Sequence, residues 1–227
     1  LTYWHAFTKA IELLISLDPE VMEIAGRSLM ISGTACLLAS LICLPLGSLI
    51  HFHHFRGKRA VISIIQTLFA MPTVLVGLLL LVLLSRAGPL GFFGILFEPP
   101  AMVIGQVLLI SPLLLGFTIS ALSGVSREIA DTATSLGASR FQTVWLVLTE
   151  AKYAVLAAVI MGFGRAISEV GCALMVGGNI KGATRIITTT ISLEASKGDI
   201  PLAIALGMIL LFLALIINIA LHRLQQR

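Results

Sequence analysis

Five apolar runs decide what this chain can be. They cover residues 24–50, 60–85, 101–123, 153–176 and 201–221. Each approaches or exceeds the roughly 20 residues a helix needs to cross a bilayer core. A backbone surrounded by lipid must satisfy its own N–H and C=O groups, so runs of this length become helices. Composition points the same way: 58% of the 227 residues are hydrophobic and 11% are charged, whereas soluble domains carry about 25% charged residues. The expected fold is all-α, a polytopic membrane protein with five transmembrane helices. Pro72 and Pro112 are expected to bend the second and third spans. Pro45 lies near the end of the first, in which Gly33, Ala35, Ala39 and Ser40 offer a close-packing surface.

Residues 1–23 are too short and polar to span, and form a first region distinct from the transmembrane domain at 24–227. Trp4, Phe7, Ile11, Leu14 and Ile15 share one helical face, with His5, Lys9, Glu12 and Ser16 off it. That pattern suits a helix lying in the membrane interface. Asp18-Pro19 ends it, with Pro19 placed for the first turn of the next helix. Leu1 suggests a trimmed start, and no cleavable signal pattern is visible.

The net charge of +4 bears on orientation, not on nucleic acid, which is not an expected partner. The loop at 51–60 is short and carries Arg56, Lys58 and Arg59 with no acid, which assigns it to the cytoplasm. Five spans then put the N-terminus and the loops 86–100 and 177–200 outside. The segment 126–151 and the tail 222–227, with Arg223 and Arg227, are inside. His51, His53 and His54 suggest a metal site, but no carboxylate or cysteine accompanies them. A basic loop among lipid headgroups is the preferred reading. Cys36, Cys43 and Cys172 sit in apolar runs without metal-ligand spacing and read as buried, inert thiols.

The segment 126–151 has a design of its own. Ser126 is a helix N-cap with Glu128 in the first turn, where the dipole favours an anion. Ile129, Ala133 and Leu136 form an apolar stripe, with Asp131, Thr134 and Ser135 elsewhere around the helix. Gly137 stops the helix, and Ser139 with Gln142 restarts it through a capping box. A helix, a hinge and a second helix presented to water invite a soluble partner.

Arg165 and Glu169 lie inside the fourth span at i, i+4. A lone charge at the bilayer centre costs about 2.5–3.5 kcal/mol on insertion scales, so the two are expected to neutralise each other. Ala158, Gly162 and Cys172 share their face, and Gly164 and Gly171 would let neighbouring helices shift. Two readings stand: a structural ion pair, or an element of a pathway or gate. No Walker loop, GxSxG, HExxH or CxxC occurs, so the chain is expected to be non-catalytic, with no cofactor or metal of its own.

Asp131-Thr132-Ala133, Gly137 and Val147 resemble the EAA signature of permease subunits of ATP-binding-cassette (ABC) importers. Aspartate stands for the glutamate, Thr132 for the first alanine, and Thr149-Glu150 occupies the Leu-Pro positions. The stretches GRAISEVG, VGGNIKGATR and TTTISLEASKGD resemble oxyanion-importer permeases of the tungstate, molybdate and sulfate type, the last looking most like the tungstate branch. The likeness runs over 24–227 and implies the type I importer permease fold in a prokaryotic cytoplasmic (inner) membrane.

By that resemblance, two copies pair and two ABC ATPase subunits, which hold ATP and Mg, dock on the cytoplasmic side. A substrate-binding protein docks outside. The residues it implies for ATPase coupling are Glu128, Asp131, Ala133, Ser135, Gly137, Ala138, Ser139, Arg140 and Phe141. Those for the translocation path or gate are Pro72, Thr73, Arg165, Ser168 and Glu169. Asn179, Lys181, Arg185, Glu194 and Lys197 are assigned to docking of the binding protein in preference to plain connection. Hydroxyls and backbone amides suit the transit of an oxyanion better than a trapping cationic cage. A self-contained secondary anion transporter is the alternative from another class. It would need coupling charges in several spans or inverted repeats, and none is evident. A scaffold subunit would leave the helix-hinge-helix unexplained.

Overall fold

The computed structural model describes residues 2–225, with the side chains of 2, 3, 5, 6, 224 and 225 outside the description. His5 and Arg227, invoked above, therefore lie outside the residues whose side chains are described. Every regular element among the described residues is helical.

Helix α1 (Thr2–Ile15) precedes α2 (Pro19–Phe52). The Asp18 carboxylate accepts from the N–H groups of Glu20 and Val21, and Pro19 opens the helix. A cap of this kind contributes about 1 kcal/mol. α1 does more than lie on a surface. It packs along α11 (Ile200–Gln225), with Ala10 fully buried and Leu13 and Leu14 against the Val21, Ile24 and Leu206 cluster. Trp4, Phe7 and Ile15 stay exposed.

The frame is α2 against α5 (Pro99–Ser123). Ala35 and Ala39 are fully buried there, as the sequence leads one to expect. Gly33 is not a contact position, since a side chain there would meet nothing; Gly47 is, with Thr118 across from it. α5 runs unbroken through Pro112.

The second span is not a bent helix. α3 (Lys58–Leu68) and α4 (Thr73–Leu84) are separate helices at 96°, broken at residues 69–72. Pro72 lacks an N–H and precedes Thr73 in extended backbone, so the break falls where proline forbids continuation. The fourth span is also interrupted. α8 (Lys152–Ile167) stops, residues 168–170 leave the helix, and α9 (Gly171–Gly177) resumes. Three helices (α2, α5 and α11) are long and apolar enough to cross a membrane alone. The count reaches five if the bent pairs α3–α4 and α7 (Arg140–Glu150)–α8 each form one span.

α9 is wedged between α4 and α5. A Cβ on Gly77 would lie 2.8 Å from the Cα of Cys172 and the Cβ of Met175, so only glycine permits this approach. The segment after α9, expected as a loop, contains α10 (Ile187–Lys197). Three consecutive threonines, Thr188, Thr189 and Thr190, are buried in it. Their β-branched side chains disguised a helix, and tertiary packing overrode the weak propensity.

Candidate coupling surface and intramembrane site

The 126–151 segment folds as two short helices whose ends are set by their own side chains. α6 (Arg127–Ser135) starts where the Ser126 hydroxyl accepts from the Glu128 N–H. It ends in a left-handed Gly137 at φ +86°. There the Ala138 N–H donates to the Ala133 carbonyl and the Gly137 N–H to that of Thr134, both at 3.0 Å. This is the glycine-dependent Schellman closure. α7 opens with the expected capping box: the Ser139 N–H donates to Gln142 Oε1 at 2.7 Å, and the Gln142 N–H to Ser139 Oγ at 3.4 Å.

The apolar stripe is placed differently from expectation. Ala133 is buried, and Val147 packs with Leu122 and Ala151, anchoring the segment to the bundle. Leu136 points away, 83% exposed. With Phe141 at 77% and Trp145 at 65% it flanks a groove of about 670 Å³ that includes Ala133, Gly137 and Ala138. Glu128, Asp131, Ser135, Ser139 and Arg140 are exposed nearby. Fully covering a large apolar side chain is worth about 1.5–3 kcal/mol, so this surface has much to gain from a partner.

Within the bundle, Arg165 and Glu169 form the expected pair, Nη1 to Oε2 at 2.8 Å. They are not on one continuous helix face, because α8 ends between them. Glu169 is 2% exposed, and its second oxygen accepts the Cys172 N–H of α9 at 2.9 Å. Its carbonyl accepts the Thr188 hydroxyl of α10 at 2.6 Å. One residue thus neutralises a charge, caps a half-helix and ties in α10. Ser168 bonds back to the carbonyls of Gly164 and Arg165, at 2.9 and 3.2 Å.

Arg165, 35% exposed, and Ser168 line a cleft of about 700 Å³ between α8 and α11, which also includes Asn218. Thr73 does not line that cleft. It begins α4, its hydroxyl 2.8 Å from where a side chain on Gly171 would start. The breaks before α4 and α9 therefore meet, with Pro72 exposed beside them. Cys36, Cys43 and Cys172 are buried and form no disulfide, and the Cys36 thiol donates to the Val159 carbonyl at 3.5 Å.

At the end expected to face outside, all five proposed docking residues make contacts within the chain, and three of them, Asn179, Arg185 and Glu194, are withdrawn from the surface. Asn179 exchanges hydrogen bonds with Thr189 at 2.9 and 3.3 Å. Arg185 faces Glu20 at 3.8 Å, and buried Glu194 pairs with Lys197 at 2.9 Å. Lys181, 2.7 Å from Glu20, and Lys197 remain exposed. Sequence reasoning missed Thr188 and Trp145. The triple threonine was a signal for the first; for Trp145, its place in the second helix, on the same side as Phe141 four residues earlier, was available.

A family model described as a binding-protein-dependent transport system inner membrane component matches residues 43–227. The chain belongs to this family. Among its relatives, the tungstate uptake system permease protein TupB of Peptoclostridium acidaminophilum is 44% identical over 222 residues, covering 98% of this chain and 97% of that one. TupB of Campylobacter jejuni is 36% identical, covering 98% and 93%. A probable anion ABC transporter permease protein of Haloferax volcanii is 42% identical, covering 87% and 88%. A bacterial ABC transporter that imports alginate shares the fold at a TM-score of 0.73 and 18% identity, over 97% of this chain and 83% of that one. The family's helical importer-permease architecture is thus the architecture of this chain.

Proposed function

We propose that this chain is the permease subunit of an ABC importer for tungstate. Its near-full-length likeness to two tungstate permeases carries the substrate reading. The exposed groove around Gly137 supports the coupling reading. Two copies would surround the path and two ATPase subunits holding ATP and Mg would dock on the α6–α7 surface. An external binding protein would deliver the anion. The basic 51–60 loop supports an orientation with the N-terminus outside and the C-terminus in the cytoplasm.

Closure of the ATPase dimer would draw the two α6–α7 segments together. The push reaches the bundle because Val147 and Ala151 are buried with Leu122 of α5, so the segment moves as a lever. Near the break at 168–170, the exposed part of Arg165 offers hydrogen-bond donors to a dianion, and the Ser168 hydroxyl would join it only by leaving the Gly164 and Arg165 carbonyls. Glu169 holds part of the Arg165 charge, which keeps binding weak enough for release.

The test is uptake by vesicles containing the permease, its ATPase and its binding protein. Saturable tungstate uptake that requires ATP is expected, with Gly137→Pro abolishing it while membrane insertion persists. ATP-independent uptake by the chain alone would replace this reading with a secondary carrier. A preference for molybdate or sulfate would keep the transporter class and change its cargo.

A further inference from the structure

A third cleft, of about 550 Å³, opens at the same end of the molecule as the coupling segment. Its polar lining comes from three separate stretches: His51, His54 and Lys58 from the α2–α3 turn, Ser123 from the end of α5, and Ser126 and Arg127 from the start of α6. No carboxylate lines it. An adjoining cleft on the other side of His54 adds His53 and Arg140, again with no carboxylate.

This is an uncompensated positive site, and the fold builds it deliberately. Lys58 Nζ is fixed by the carbonyls of His51 and His53, at 2.5 and 3.2 Å, which closes the α2–α3 turn. His51 Nδ1 lies 3.3 Å from the Ser123 hydroxyl, which joins that turn to α5. The N-terminus of α6 opens beside them, where the Ser126 hydroxyl already turns back to the Glu128 N–H, and its dipole adds to the field. The two cations of the lining, Lys58 and Arg127, repel across one concavity, and an anion seated between them removes that cost. Fork-shaped and ring donors together suit a group with several oxygens.

The geometry points to a binding site for a tetrahedral oxyanion group, bridging the α2–α3 turn and the coupling segment through His54, Lys58 and Arg127. The group can come from two sources with the same chemistry: the phosphate of an anionic lipid, or a free oxyanion on that side of the membrane. Either one, when bound, pins the α2–α3 turn to the start of α6. The site depends on the cleft alone and stands whether or not tungstate is the cargo.

The experiment uses the full chain in detergent. One arm adds phosphatidylglycerol against phosphatidylcholine; the other adds sodium tungstate, sulfate or phosphate without added lipid. Binding is followed by native mass spectrometry and by the rise in melting temperature. Saturable binding in at least one arm is expected, about tenfold weaker in the double variant His54→Gln/Arg127→Gln. Arg56→Gln, which removes an exposed charge from the same loop but not from the cleft lining, should bind as the parent does. Selective phosphatidylglycerol binding identifies the lipid as the source, and binding of the inorganic ion identifies the free oxyanion. No binding in either arm overturns the site, as does an equal loss in Arg56→Gln. Loss of binding once the ATPase subunits are docked would give the cleft to the ATPase and overturn it too.

Discussion

The chain interrupts a helix in two places that matter, at Gly137 and at residues 168–170, and it resolves them in opposite ways. At Gly137 the orphaned backbone groups are met locally. Glycine supplies the left-handed turn, and Ser139 with Gln142 supplies the restart within three residues. At 168–170 they are met from a distance. Cys172 N–H is capped by a long acidic side chain that also holds Arg165, and the Glu169 carbonyl depends on Thr188, 19 residues away. Water could satisfy the first break if its caps were lost. Lipid cannot satisfy the second. The water-facing break therefore tolerates movement, whereas the intramembrane one holds only as part of a packed whole.

The largest test of this contrast is Glu169→Ala. It removes the partner of Arg165 and the cap of α9 together; Arg165 is 35% exposed, so its loss of a partner costs part of the roughly 3–5 kcal/mol of a fully buried pair, with the lost cap added. Poor expression and a collapse of thermal stability are expected. Glu169→Gln keeps an acceptor for Cys172 N–H and should recover part of that loss. Normal stability in the alanine variant would mean that the break at 168–170 is not held by this residue.

Gly137→Ala comes next. A Cβ at φ +86° strains the backbone by roughly 1–2 kcal/mol, and α6 should fray rather than the bundle unfold. Hydrogen exchange would show faster opening confined to 127–138, with α2 and α5 unchanged. Opening spread through the bundle would erase the distinction between the two breaks.

The contrast also explains what could be read in advance. The caps at Ser126, Gly137 and Ser139 were legible because their partners lie within a few residues. The Arg165–Glu169 pairing was legible because charges in lipid must pair. The interruption between them was not. Capping is ordinarily read from short polar side chains, and a glutamate cap gives no such signal. Its second partner, Thr188, sat in a stretch expected to be loop. The right angle at Pro72 was underestimated for a related reason. Proline shows where a helix fails, but the 96° turn is set by what α3 and α4 pack against, and Phe69 over Gly116 of α5 is part of that. The outward face of Leu136 was missed because an i, i+4, i+7 stripe names a face, whereas of its three residues only Ala133 is buried and Ile129 is half-buried.

A smaller loss is expected from Ser139→Ala. Removing a side-chain N-cap costs about 1 kcal/mol, and here the Gln142 half of the box remains to hold the Ser139 N–H. Melting of the bundle should hardly move, while the start of α7 exchanges faster. Equal destabilisation of the whole molecule would mean that the lever and the bundle melt as one unit.

Leu136→Ser should have the least effect on folding, within about 0.5 kcal/mol, because a side chain 83% exposed gives up almost no burial. Its effect on assembly should be the reverse. The leucine flanks the groove with Phe141 and Trp145, and covering such a side chain in a partner is worth about 1.5–3 kcal/mol. Serine forfeits most of that, so affinity for the proposed ATPase partner should fall by at least about tenfold while the melting temperature of the permease alone is unchanged. Both quantities can be measured on one preparation, by titrating the ATPase into permease nanodiscs and by melting the permease without it. Unchanged affinity would show that the exposed apolar face beside Gly137 is not where the partner binds. Lower stability with unchanged affinity would place Leu136 in the chain's own core, against its exposure.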